Sequence, residues 1–147
     1  MIQRVQSIML LLAAACFFSL FMLPFASTPD PDPSMNFLAD GVFNIQDNIM
    51  FIVMTAIAGG LALINIFNYK KRGLQLRIGY ILIILAILIP LLAFLLFFQE
   101  MNVLFEDTRL DDQLGIFAPF VALILIVIAN RFIKKDDKLV RSMDRLR

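Results

Sequence analysis

Four apolar runs dominate the sequence and limit the folds that are open to it. They cover residues 8–25, 49–68, 78–98 and 114–133. Each is about as long as the 17–25 residues that a helix needs to cross the roughly 30 Å hydrocarbon core of a bilayer. Lipid offers the backbone no hydrogen bonds, so such runs must be helices rather than open strands. We therefore predict an all-α membrane protein, an up-down bundle of four transmembrane helices forming a single domain over residues 1–147.

The composition agrees with a membrane protein and excludes several common kinds of catalytic and metal site. Hydrophobic residues make up 61% of the chain, against roughly 45–50% in soluble domains. The chain has no histidine and one cysteine, Cys16. It therefore lacks the residues for Ser/His or Cys/His catalysis, for histidine metal sites and for an internal disulfide. We expect no enzymatic activity and no cofactor.

The first run also resembles a cleaved signal peptide, because MIQRVQS gives it a basic start. Pro24 and Phe25, however, fit a small-residue cleavage site poorly, and the run is long enough to span. The sequence favours a retained helix.

Charge predicts the orientation of the helices. Twelve of the 13 basic residues fall in the N-terminus, in the loop 69–77, or in the tail from Arg131 onward. The opposite loops, 26–48 and 99–113, contain nine acidic residues and only Arg109 as a cation. Basic residues remain on the cytoplasmic side of a membrane. The prediction is a multi-pass protein whose N- and C-termini and loop 69–77 are cytoplasmic.

The two outer loops carry weaker signals. NFLA and VFNI flank Asp40-Gly41, a dipeptide typical of a β-hairpin turn, but an irregular loop is equally compatible with the sequence. NVLFE in the second loop could add a strand to that hairpin. The acids of the same loop could bind a divalent cation, although a solvated face is the commoner arrangement.

Small residues in the second helix predict close helix packing. Ala56 and Gly60, and likewise Ala58 and Ala62, lie one turn apart, and Gly59 lies between them. Such spacing lets helix backbones approach in a membrane. We predict that this face packs against Ala13–Cys16 and Ser19 of the first helix; a helix break at Gly59-Gly60 is the alternative.

The C-terminal tail, residues 134–147, predicts a short amphipathic helix. Leu139, Met143 and Leu146 share one face, and Lys138, Arg141 and Arg145 lie opposite. Asp136 and Asp137 suit an N-cap and first turn. Such a helix could lie in the cytoplasmic interface, hold anionic lipid or bind a soluble partner. It has no aromatic residues for stacking on bases, so we expect no nucleic acid.

Four stretches resemble an uncharacterised family of four-helix membrane proteins of Bacteroidetes, described as a domain of unknown function. They are MIQRVQSIMLLLAA, YKKRGLQLRI, LGIFAPF and KKDDKLVRSMDRLR. The resemblance covers essentially the whole chain and implies a bacterial inner-membrane protein with both ends cytoplasmic. It implies no activity and no catalytic residues. Its terminal motifs correspond here to Gln3, Arg4, Gln6, Ser7, Leu139–Ser142 and Asp144–Arg147.

Two functions are compatible with these features. The first is a non-enzymatic accessory or scaffold subunit that docks membrane or cytoplasmic proteins through its tail and outer loops. Its predicted contacts to partner or lipid are Gln3, Arg4, Gln6, Leu139, Arg141, Met143, Asp144, Arg145 and Leu146. The second is a transporter or channel subunit that forms a pore only as a homo-oligomer, lined by Thr55, Asn65 and Asn68.

Overall fold

Four helices and three short strands make up the described structure. The computed structural model describes the backbone of residues 2–27, 40–104, 111–112 and 114–144, and the side chains of residues 5–27, 40–98, 114–140 and 142. The helices are α1 (Ile2–Ser19), α2 (Ile49–Phe67), α3 (Arg72–Leu104) and α4 (Ala118–Asp144). The strands are β1 (Ala26–Ser27), β2 (Val42–Phe43) and β3 (Asp111–Asp112).

Three helical segments are long and apolar enough to cross a membrane: Ile49–Lys70, Arg72–Phe98 and Leu114–Val140. The first apolar run forms a shorter helix, apolar over Val5–Ser19. The prediction of a helix over residues 8–25 is corrected at both ends, since α1 begins at Ile2 and ends at Ser19. Beyond Ser19 the chain turns tightly, and Pro24 disfavours any return to helix at Leu23, the residue before it.

Each helix buries one narrow stripe and packs against two other helices. α1 packs against α4 and α2, and α3 packs against the same two. In α3 the stripe contains Gly79, Ala86 and Ala93, each seven residues from the next, and the same spacing recurs at Gly115, in the turn before α4, and at Ala122 and Ala129 of α4. Small residues let two backbones approach closely where lipid supplies no hydrophobic drive. Leu82 and Ile89 of α3 and Ile126 and Ile133 of α4 are buried beside these small residues, and many other large apolar side chains of both helices are exposed, as lipid contact requires.

The small-residue face of α2 is only partly used for packing. Ala58, Gly59 and Ala62 are buried, and a Cβ on Gly59 would lie 2.7 Å from the ring of Phe18 on α1. Ala56, in contrast, is exposed, and a Cβ on Gly60 would meet no atom within 4 Å. The two helices therefore meet along the side of α2 that carries Gly59, with the Phe18 ring filling the space.

A small antiparallel sheet lies at the opposite end of the helices from the α2–α3 turn. β1 is central, pairing with β2 through Ala26 and Phe43 and with β3 through Ala26 and Asp112. Gly41 has φ 79°, the positive angle expected of a turn glycine. The observed partner of β2 is β1; the predicted partner, residues 36–39, lies outside the described residues. The predicted strand in NVLFE is wrong over residues 102–104, which belong to α3.

Phe43 attaches this sheet to the helices. Its ring centroid lies 5.5 Å from that of Phe25, 5.7 Å from that of Phe97 on α3 and 6.4 Å from that of Phe51 on α2. Aromatic pairs at such distances add stabilisation beyond the burial of their area. The sheet is therefore fixed to two helices through one side chain.

The tail is not a separate helix. α4 continues without a break from Ala118 to Asp144, about 40 Å at 1.5 Å per residue. Pro119 lies in its first turn, where a proline costs no hydrogen bond. The predicted N-cap at Asp136 and Asp137 is therefore wrong, because both residues lie inside a continuous helix.

Gly115 provides a test of the packing between the start of α4 and the end of α1. Its N–H donates to the Pro24 carbonyl at 3.0 Å, and a Cβ there would collide with the same carbonyl oxygen. We expect Gly115→Ala to lower stability by about 1–3 kcal/mol, because backbone atoms cannot move aside as a side chain can. The melting temperature in mild detergent measures the effect. Gly60→Ala is the matched control and should not lower it; equal melting temperatures would contradict this packing.

Candidate functional site at the polar end of the helices

Four buried carboxamides, one from each helix, lie toward the end where residues 68–71 join α2 to α3. We call this end the polar end. Gln6 on α1 is 3% exposed, Asn65 on α2 is 0%, Gln75 on α3 is 1% and Asn130 on α4 is 5%. Burying such groups is costly unless they are hydrogen-bonded. Their position in an apolar protein therefore marks them as a candidate site.

Asn65 and Gln75 connect α2 to α3. The side-chain nitrogen of Asn65 donates to the Gln75 carbonyl at 3.2 Å, and the side-chain nitrogen of Gln75 donates to the Asn65 carbonyl at 3.2 Å. Each amide thereby satisfies a backbone acceptor of the other helix. This reciprocal pair fixes both helices across the turn between them.

Three contacts fix α3 against α4. The Asn130 amide lies directly over Gly79, where any Cβ would collide with it. The Lys134 ammonium lies 5.3 Å from the centroid of the Tyr80 ring. Finally, Arg72 Nε lies 2.9 Å from Asp136 Oδ2. The two groups form an ion pair, but Arg72 Nε does not meet the geometry of a hydrogen bond. Asn130 of α4 thus lies beside Gly79 of α3, and Asp136 lies beside Arg72. The two helices therefore run antiparallel in this register.

Gln6 lies at about the depth of Asn130. At the other end of the helices, the Gly115 N–H bonds to the Pro24 carbonyl, which joins the turn after α1 to the residues before α4. Counted from the helix ends nearest that bond, Gln6 is about 20 Å back along α1 from Ser19, and Asn130 is about 18 Å along α4 from Ala118, at 1.5 Å per residue. By helix rise the four amides lie within about two helical turns of one another, and we call this part of the protein the amide layer.

The amide layer can bind a polar group through hydrogen bonds. Carboxamides offer neutral donors and acceptors, and they do not titrate near neutral pH. Among the residues that the structure describes, no group of three acidic or thiol side chains could hold a metal ion.

Beyond the Arg72–Asp136 ion pair, α4 presents an exposed surface. Leu139 is 48% exposed and Lys138 is exposed beside it. Ser142 donates its hydroxyl to the Leu139 carbonyl at 2.7 Å, within the helix. Arg141, Met143 and Asp144 continue the helix, although only their backbone is described. We call residues 137–144 the tail segment.

The structure separates the predicted contact residues. Gln6 lies in the amide layer and is not on the surface. Gln3 and Arg4 lie in the first turn of α1, with only their backbone described, and Arg145 and Leu146 lie outside the described residues. The proposed pore residues Thr55 and Asn65 are buried within their own chain. Asn68 donates to the Ile64 carbonyl at 3.2 Å.

Sequence reasoning missed Gln75 and the ion pair of Arg72 with Asp136. A signal for Gln75 existed: it lies four residues before Gly79, where the seven-residue repeat of small residues in α3 begins. A polar residue that extends a small-residue stripe faces the same neighbours as the stripe. No comparable pattern identifies the ion pair, because its partners are 64 positions apart in a charge-rich sequence.

The opposite end of the helices carries a different feature, an apolar cavity of about 200 Å³. Phe25 and Phe43 of the sheet region and Pro90, Phe94 and Phe97 of α3 line it. Nearby, Asp47 accepts a hydrogen bond from the Asn44 N–H at 2.6 Å. Desolvation nevertheless raises the pKa of Asp47 above its ordinary value.

Comparison with known proteins assigns the family. The family model described as domain of unknown function DUF4293 matches residues 2–146, so the chain belongs to that family. No curated protein and no solved structure shows a significant match.

The Arg72–Asp136 ion pair can be tested through the tail segment. We expect Asp136→Ala to loosen it, because the pair links α4 to α3 directly before the tail segment. A loss of about 1 kcal/mol would speed amide exchange of residues 137–144 about fivefold, as measured by hydrogen–deuterium exchange in nanodiscs.

Two variants serve as controls for this test. Lys135→Ala alters an exposed neighbour and should leave exchange unchanged. The double variant Arg72→Asp with Asp136→Arg should restore slow exchange. Fast exchange in that double variant, or slow exchange in Asp136→Ala, would rule out the ion pair as the support of the tail segment.

Proposed function

We propose that this member of the DUF4293 family is a non-enzymatic accessory or scaffold subunit of a membrane assembly. In this proposal the tail segment docks a protein on the cytoplasmic side, and the outer loops contact further components. One observation carries it: α4 extends as a single helix beyond its ion pair with α3. A helix that is already ordered loses less conformational entropy on binding than a tail that must first fold.

The direction of α4 favours a protein over the lipid surface as the partner. A helix lying in the membrane interface would have to bend where the apolar run ends, near residue 133, but α4 continues unbroken. The tail segment reaches about 12 Å beyond Asp136 at 1.5 Å per residue. It therefore carries Leu139 and its basic neighbours away from the other helices, where a soluble surface can reach them.

The chemistry of the tail segment indicates the kind of partner. Leu139 offers an exposed apolar contact, and the sequence places Lys138 and Arg141 on the opposite face of the same helix, where they add positive charge. A complementary surface would be an apolar groove with acidic residues at its rim. Charge complementarity of this kind chiefly sets the association rate and the choice of partner.

We further propose four membrane spans in the inner membrane of a bacterium, with both termini cytoplasmic. α1 would be the fourth span: its 18 residues measure about 27 Å, and it packs against two candidate spans, α2 and α4. Four spans return the chain to its starting side. Twelve of the 13 basic residues then lie on the cytoplasmic side, as the positive-inside rule requires.

Single-cysteine labelling tests this topology. In a Cys16→Ala background, Asp40→Cys and Ser142→Cys are placed at exposed positions, and Gln3→Cys reports on the N-terminus. We expect a membrane-impermeant maleimide to label Asp40→Cys in spheroplasts, and the other two only in inside-out vesicles. Labelling of Gln3→Cys from the outside would leave three spans and contradict the proposal.

Docking is tested by reversing charge on the tail segment and beyond. Arg141→Glu with Arg145→Glu should abolish crosslinks to a protein partner in native membranes, with all spans still inserted, because like charges would now face an acidic rim. Leu139→Ser should weaken the same crosslinks, since it removes the apolar contact.

The matched control is Lys70→Glu with Lys71→Glu, which makes the same change in net charge on an exposed loop. It should leave the crosslinks intact. If the tail variant lost only co-purified anionic lipid, the tail segment would be a lipid anchor, and protein docking would be wrong.

A further inference from the structure

We propose that the amide layer is a binding site for internal water. Five of its polar side-chain atoms, at least one from each helix, have no hydrogen-bond partner within the described part of the chain. They are Gln6 Nε2, Asn65 Oδ1, Gln75 Oε1, Asn130 Oδ1 and Asn130 Nδ2. All four residues are at least 95% buried. This inference is independent of whether the tail segment binds a partner.

Rotating Asn65 or Gln75 does not remove the need for a ligand, and a ligand that both donates and accepts suits the Asn130 amide in either orientation. A half-turn of Asn65 or Gln75 would place an oxygen against the carbonyl that its nitrogen now bonds. The present orientations of those two are therefore fixed, and each leaves an oxygen available.

The chemistry of the five atoms favours water over an ion. Two are N–H donors and three are oxygen acceptors, a mixture that matches a ligand able both to donate and to accept. A cation would be repelled by the N–H groups of Gln6 and Asn130, and an anion by the three oxygens. A buried water makes about three hydrogen bonds, so at least two water molecules are needed to satisfy the layer.

The alternative to bound water is energetically costly. An amide without a partner costs roughly 1–3 kcal/mol in proteins, and more in an alkane-like medium. Five such atoms would therefore cost a large part of the total stability of a domain, about 5–15 kcal/mol. The layer lies about 9 Å from the Arg72–Asp136 level, by the rise from Asp136 to Asn130, so water has a short distance to travel from the polar end.

Water-edited solid-state NMR of the full chain in bilayers tests the proposal directly. We expect the side-chain amide signals of Gln6, Asn65, Gln75 and Asn130 to receive magnetisation from water several-fold faster than the methyl group of Ala58. Ala58 is the dry reference because it is fully buried among apolar residues farther along α2. Transfer to the amides as slow as to Ala58 would overturn the proposal.

Two further measurements distinguish shared water from a bound cation and from separate hydration of each amide. Replacing potassium and sodium by N-methylglucamine should leave the chemical shifts of the side-chain amides unchanged. Chemical shifts that follow the small cation would assign the site to a cation instead.

Asn130→Leu, an apolar replacement of similar size, should slow the transfer of water magnetisation to Gln6 and Gln75. Fast transfer that persists in this variant would show that the amides do not share their water, which contradicts a single layer. If Asn130→Leu does not fold, the cation replacement and the rates of water transfer in the wild-type protein still test whether the amides bind water.

Discussion

The close approach of α3 and α4 at Gly79 is the contact on which the rest of the polar end depends. Because Gly79 has no side chain, the Asn130 amide fits directly over the α3 backbone. That contact brings the following turns of α4 level with the start of α3, and it places Asp136 beside Arg72. The same register puts Gln75 one turn, about 6 Å, from the depth of Asn130, and its hydrogen bonds with Asn65 connect that level to α2. A single missing Cβ thus sets the position of Asn130 and of the base of the tail segment.

The helical segments were the most predictable part of the fold. Hydrocarbon thickness and the lack of backbone partners in lipid require long helices wherever apolar runs are long, and Ile49–Phe67 matches its predicted bounds almost to the residue. The end of α1 was less predictable, because the same apolar run continues past Ser19 into a turn that packs against Gly115. That packing involves residues about 90 positions away, which local pattern cannot reveal.

The tail and the sheet show where local rules were overridden. Asp136 has the residue type of an N-cap, but an ion pair with Arg72 is available to it only if α4 continues. The turn signal at Asp40-Gly41 was sound, since Gly41 has positive φ, yet β2 pairs with a strand from before the long loop. In the candidate site, the sequence predicted Gln6 as a contact to a partner or lipid and Asn65 as a pore residue of an oligomer. It did not predict that both are buried within the protein.

The two ends of the helices differ in how they are held together, and this difference bears on function. At the end that carries the sheet, Phe43 and its aromatic neighbours make contacts without strict direction. At the polar end, reciprocal amide hydrogen bonds fix α2 to α3. Directional groups cost stability when unsatisfied but select one arrangement over others of similar packing. The tail segment leaves the protein at that end, and the contact of Asn130 with Gly79 and the Arg72–Asp136 ion pair position its helix against α3. A docking surface gains from such a base, because a partner then meets a helix of defined direction rather than one that must be ordered on binding.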